Sequence, residues 1–168
     1  MTPSGDMPNE QAQEQSCSLA NIVPQTGPLN RGVWEGIEDA VRELAIREGE
    51  LYLVTGAAFQ GTAIQSIGPG GVLVPTATWK AVYDPQADGA GVYVCGNTAE
   101  PTCSTISVDE LIAATGVDPF PVLPDGVKRV AMRLPPPDDS PYGATRHQLH
   151  RRQPRSLFDV LLHWMNLR

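Results

Sequence analysis

Four side chains spaced by four residues, Asn30, Trp34, Glu38 and Arg42, are the part of this chain whose types could do chemistry. At about 100° per residue a helix would set them in a slowly drifting row on one side. An amide, a carboxylate and a guanidinium then share a face. Here periodicity and chemistry meet. Spacing alone is also satisfied by a plain solvated face with an i,i+4 Glu38–Arg42 pair, which contributes only a few tenths of a kcal/mol. Two further polar side chains, Asn21 and Gln25, lead into the row through the segment Asn21-Ile22-Val23-Pro24-Gln25.

The row requires a helix, and the apolar pattern predicts one. Leu29, Val33, Ile37, Val41 and Leu44 recur at helical spacing up to a stop at Gly49, about five turns in all. Leu51 to Thr55, closing on Gly56, reads as a buried strand. Gly68-Pro69-Gly70-Gly71 is a turn, and Val72–Val74, Ala77–Tyr83 and Gly91–Cys95 read as strands of an antiparallel meander. Ser107-x-x-Glu110 is a capping box that starts a short helix, Val108 to Thr115, ended by Gly116. Residues 1–28 read as irregular chain with one helical turn around Asn9 to Gln15. The expected fold is therefore α+β, an antiparallel sheet flanked by helices.

The run Pro135-Pro136-Pro137-Asp138-Asp139 marks a boundary, since consecutive prolines join neither a helix nor an interior strand. It divides the chain into a domain, 1–134, and a tail, 135–168. Five of the twelve basic residues lie in that tail, Arg146, Arg151, Arg152, Arg155 and Arg168. Phosphate contact without sequence preference and a plain linker both fit them. An apolar helix over Leu157–Leu167 would pack on its own domain or on a partner.

Composition bounds the rest. With 41% hydrophobic residues, 16 Gly and 16 Pro, the 168 residues suffice for one turn-rich domain. The net charge of −7 argues against generic binding of polyanions, so any nucleic-acid contact must use local basic residues or a bound cation. No apolar run is long enough to span a bilayer, and the polar start lacks the pattern of a secretory signal. Cys95 and Cys103 bracket a turn-rich stretch that can close as a disulfide loop in an oxidising compartment. Cys17 reads as a buried apolar side chain.

The exact order of residues adds a resemblance. Asn-x-x-Pro-Gln followed by Leu-Asn-Arg-Gly-x-Trp-x-x-x-Glu-x-x-x-Arg resembles the signature helix of the non-specific DNA/RNA endonucleases of the ββα-metal type. Leu51–Gly56 and Val74-Pro75-x-x-x-Trp79-Lys80 are similar to the two strands after that helix in the family, and the segment from Val108 through Leu123-Pro124 to its closing helix and loop. The resemblance implies that Asn30 holds Mg²⁺ (or Mn²⁺) through its side-chain oxygen and that Glu38 organises the metal's waters. It also implies that Arg42 contacts the scissile phosphate, with Asn21 and Gln25 as polar residues of the site. The implied partners are DNA and RNA, met through their phosphate backbone, and full-length relatives are often exported. The family's general base, the His of Asp-Arg-Gly-His, would stand directly before Met1, together with the hairpin that presents it. His147, His150 and His163 all lie in the tail and read as surface or packing residues. The expectation is a nuclease domain truncated at its N-terminus and impaired as an enzyme. The alternatives are a non-catalytic fragment or module that binds nucleic acid or a partner, self-associates or is completed by an N-terminal segment, and a scaffolding protein that binds no metal.

Overall fold

A computed structural model of the chain describes Pro3, residues 6–18 and residues 20–137. The apolar helix and basic cluster expected in the tail, and all three histidines, lie outside the described residues. Asn9 caps a first helix, α1 (Glu10–Ser16), its side chain accepting from Ala12 N at 2.9 Å. A wide turn of π-helical type, Leu29–Val33, runs into α2 (Trp34–Glu48), which stops at Gly49 with φ +85°. The chain then enters β1 (Tyr52–Ala58), a two-stranded excursion β2 (Ser66–Ile67) and β3 (Val72–Leu73), and the long strands β4 (Ala77–Asp84) and β5 (Gly89–Gly96). It ends in β6 (Cys103–Ile106), α3 (Val108–Thr115) and α4 (Asp125–Arg129).

The sheet is antiparallel, in the order β1-β4-β5-β6. Strand side chains alternate between faces, and here both faces are covered. Ile37, Val41 and Leu44 of α2 pack with Leu29, Trp34, Val82, Tyr93 and Leu134 on one side. Trp79, Ala81, Val92 and Val94 pack with Val108, Leu111 and Phe120 on the other. This is an α+β layering with α2 on one face and α3 on the opposite one. The capping box stands as expected: Ser107 N donates to Glu110 Oε2 at 2.7 Å, and Glu110 N to Ser107 Oγ at 3.2 Å.

Several expectations are corrected. The first strand does not close on Gly56 but runs on to Ala58, and it is an edge strand with Tyr52 and Leu53 exposed. Gly56 permits this because it stands opposite Trp79, whose indole fills the space a Cβ would take. The short Val72 strand pairs with β2 in a separate ribbon rather than joining the meander. Cys17 is exposed, not buried. Among the described residues no helix is long and apolar enough to cross a membrane.

Lys128 and Asp118 tie the end of α4 to the loop after α3, with Nζ donating to Oδ2 at 2.6 Å while Phe120 N donates to Oδ1 at 2.9 Å. The Lys128 hydrogen bond holds the Asp118 carboxyl below the usual carboxylate range. A depressed carboxylate contributes stability that is full above the unfolded pKa and is lost as pH falls through the folded one. Asp118→Asn is therefore expected to remove part of the acid-induced fall in melting temperature. An identical slope against pH in the two proteins would contradict it.

Candidate metal and phosphate site

The row of four is not one continuous α-helix. Gly32 has non-helical dihedrals, φ −116° and ψ −111°, and Trp34 N donates to Leu29 O, five residues back. A turn that holds one extra residue rotates the preceding residues by roughly 100° relative to an α-helix, so Asn30 leaves the four-residue row of Trp34, Glu38 and Arg42. Periodicity cannot register such an insertion. Asn30 is exposed at this turn, and its side chain makes no hydrogen bond among the described residues.

Glu38 is held from two sides. Trp34 Nε1 donates to Glu38 Oε1 at 3.0 Å, and Lys80 Nζ lies 3.9 Å from the same oxygen. Lys80 itself is only 3% exposed on β4, where its ammonium donates to Thr55 Oγ1 at 3.1 Å and lies 5.5 Å from the Trp34 ring centroid. Burial pushes the Glu38 carboxyl up and the Lys80 ammonium down, and in each case it outweighs the attraction between the two. The pair is thus held in place by the packing of α2 on the sheet, at an electrostatic cost. Lys80 is the residue that sequence reasoning missed. Its signal was a charged residue in the middle of a strand that otherwise reads Ala-Thr-Trp before it and Ala-Val-Tyr after it.

Arg42 does not pair with Glu38. Its guanidinium binds Asp6 at 2.7 Å and also the Asp39 carboxylate, which together hold it firmly protonated. Both ion pairs are substantially exposed, so each contributes little to stability, and a phosphate would have to displace or share them. Asn21 Nδ2 donates to Ser16 O at 2.8 Å and so braces the chain after α1. Gln25 Nε2 is buried without a hydrogen-bond partner among the described residues. The structure thus gathers Trp34, Glu38 and Lys80 into one contact and Arg42, Asp6 and Asp39 into another. Asn21 stands apart as a brace.

The donor set can be tested against a cation. Among the described residues no group of three or more His, Cys, Asp or Glu side chains could hold a metal by itself. A single exposed neutral oxygen at the turn, with a half-buried carboxylate on the helix that follows it, fits an ion that retains most of its waters, as Mg²⁺ does. It does not fit Zn²⁺, which takes several tightly bound protein ligands.

The sequence profile of the DNA/RNA non-specific endonucleases matches residues 1–126. The chain belongs to the DNA/RNA non-specific endonuclease family. It is 34% identical over 115 residues to a nuclease of Nostoc sp., covering 60% of this chain and 41% of that protein. A nuclease of Serratia marcescens is 30% identical over 120 residues, covering 66% of this chain and 45% of the relative. The mitochondrial nuclease EXOG of Danio rerio is 32% identical over 105 residues, 55% of this chain and 31% of the relative. The chain therefore spans less than half the length of these relatives. In three dimensions it is similar to a chain of the crystal structure of the EndoG/EndoGI complex, with a TM-score of 0.61 and 21% identity over 69% of this chain and 55% of that one. That likeness places the antiparallel sheet and its flanking helices in the ββα-metal nuclease fold.

Proposed function

We propose that this chain carries the metal- and phosphate-binding part of an endonuclease that hydrolyses phosphodiester bonds of DNA and RNA without sequence preference, with Mg²⁺ as cofactor. The observation that supports the reading best is the Trp34–Glu38–Lys80 contact: a half-buried carboxylate fixed in orientation on the helix that follows the turn exposing Asn30. In this reading Asn30 holds Mg²⁺ through its side-chain oxygen, and Glu38 orients waters around it without direct ligation. Mn²⁺ would serve in its place. Bound there, the ion would supply positive charge for the phosphate and the leaving oxygen. Arg42 exchanges its carboxylate partners for the scissile phosphate and stabilises the charge that develops on it. Asn21 and Gln25 act as polar residues of the site, Asn21 by bracing the chain after α1 and Gln25 from a buried position.

A base must still take a proton from water, and none of the described residues is a histidine. In this reading the three tail histidines do not serve as that base and the 168-residue chain alone is a poor catalyst, since losing a general base costs about 10²–10⁴-fold. A second reading, a non-catalytic module completed by self-association or by an N-terminal segment, draws on the outer edge of β1. That edge pairs with nothing among the described residues and carries exposed Tyr52 and Leu53. A scaffolding role without metal is the third.

Calorimetric titration of the 168-residue chain with Mg²⁺ or Mn²⁺ is expected to show one binding site that Asn30→Ala removes and Glu38→Gln only weakens, by about 10- to 100-fold. Absence of any binding heat would favour the scaffolding reading. Full retention of binding by Asn30→Ala with loss in Glu38→Gln would show direct ligation by the carboxylate and sink the assignment.

A further inference from the structure

Asn97, the first residue after β5, uses its whole amide to join two segments far apart in sequence. Its Nδ2 donates to Pro24 O at 3.0 Å and to Pro75 O at 2.9 Å, while its Oδ1 accepts from Thr26 N at 2.8 Å. Its backbone N donates to Thr76 O at 2.9 Å, and the next carbonyl, Thr98 O, accepts from Thr26 Oγ1 at 2.7 Å. Thr26 in turn is where the site-bearing turn begins. Asn30 N donates to Thr26 O at 2.9 Å, and Leu29 N reaches Thr26 Oγ1 at 3.3 Å.

The leader from Pro24 to Pro28 cannot add to the sheet as a regular strand, because its prolines lack the N–H a ladder needs. One asparagine amide, with two donors and one acceptor matched to two proline carbonyls and one N–H, replaces that ladder. The loop that carries it, residues 96–102, is closed at its base by the Cys95–Cys103 disulfide and by Gly96 N donating to Thr102 O at 3.0 Å. The chain of contacts is therefore continuous from the crosslinked hairpin through Asn97 and Thr26 to Asn30.

We propose that Asn97 is a positioning residue for the metal site: it fixes where the turn bearing Asn30 starts relative to the sheet bearing Lys80. The proposal rests on the reading of Asn30 as the residue that holds the metal. Asn97 touches neither substrate nor cation and acts only through Thr26.

The test uses the whole 168-residue chain, with Mn²⁺ followed by water-proton relaxation and backbone opening followed by amide hydrogen exchange. Asn97→Ala is expected to accelerate exchange at Leu29 and Asn30 while the β4–β5 amides stay protected, and to weaken Mn²⁺ binding about 10-fold. Asn97→Asp serves where the alanine variant does not fold. It keeps the size and the acceptor for Thr26 N–H but sets an oxygen against the two proline carbonyls, and the same pattern is expected. Asn30→Ala is the control, expected to lose Mn²⁺ with exchange at Leu29 unchanged. Uniformly faster exchange across the sheet, unchanged exchange at Leu29 and Asn30, or unweakened Mn²⁺ binding in a variant whose Leu29 amide opens would each overturn the positioning role. Mn²⁺ binding indifferent to Asn30→Ala would instead overturn the metal reading and the role that depends on it, whatever the exchange data show.

Discussion

Cleavage of plasmid DNA and RNA in the presence of Mg²⁺ is expected to appear when the chain is preceded by the family's first hairpin with its Asp-Arg-Gly-His, and to be lost again on Asn30→Ala. The two changes act on different requirements of one reaction. In the proposed reading the added histidine would take the proton from water, typically worth about 10²–10⁴-fold. In the proposed reading Asn30 would supply the anchor of the cation, without which charge on the leaving oxygen would go unneutralised, so a loss of at least about 100-fold is expected. Because the two serve one transition state, their effects are not additive, and the extended Asn30→Ala protein is expected to fall near the background of the 168-residue chain. EDTA should reproduce that loss. EDTA-sensitive, Asn30-dependent cleavage by the 168-residue chain alone would show that an upstream histidine is dispensable.

Gly56→Val is expected to cost about 2–3 kcal/mol of stability, the largest effect foreseen for a single substitution away from the site. Even a methyl group here would fall inside the Trp79 indole, at Cζ2 and Cε2. The indole is itself only 4% exposed and packed in the core on the α3 side, so it has nowhere to move. The same substitution on an ordinary exposed strand would favour the β conformation, so the expected sign is the reverse of the propensity rule. Denaturant unfolding decides it, and a Gly56→Val protein as stable as the parent would show that the Trp79 side chain can be displaced without cost.

Part of the fold was legible in the sequence for physical reasons. The 3.6-residue apolar repeat ending at Gly49 and the Ser107–Glu110 capping box depend only on local geometry, and both stand where expected. The extra residue at Gly32 could not be read, because a repeat of apolar positions is blind to one wide turn between them. β6 was missed since Cys103-Ser104-Thr105-Ile106 is short and largely polar, and becomes a strand only through pairing with β5. Helical spacing placed Glu38 on a helix, where it stands, but suggested Arg42 as its neighbour. The partners it has are Trp34, four residues earlier, and Lys80, from a strand no spacing rule connects to the helix. Asn97 was illegible for the opposite reason. An asparagine after a glycine in a turn is so ordinary that nothing local distinguishes a clamp from a turn residue.

The Asn97 clamp also bears on the order in which the molecule assembles. Its hydrogen bonds to the Pro24–Thr26 leader close 71 to 73 residues of chain, whereas the disulfide spans 8 and the contact of Thr76 with Ala58 spans 18. Closing a long loop costs more entropy than closing a short one, and the cost falls before any contact repays it. Hairpins and crosslink can therefore form while the leader is still free, and the turn bearing Asn30 takes its place on a sheet already built. In the proposed reading the turn bearing Asn30 would then be a late region to acquire its shape, and competence for metal would trail compaction of the chain.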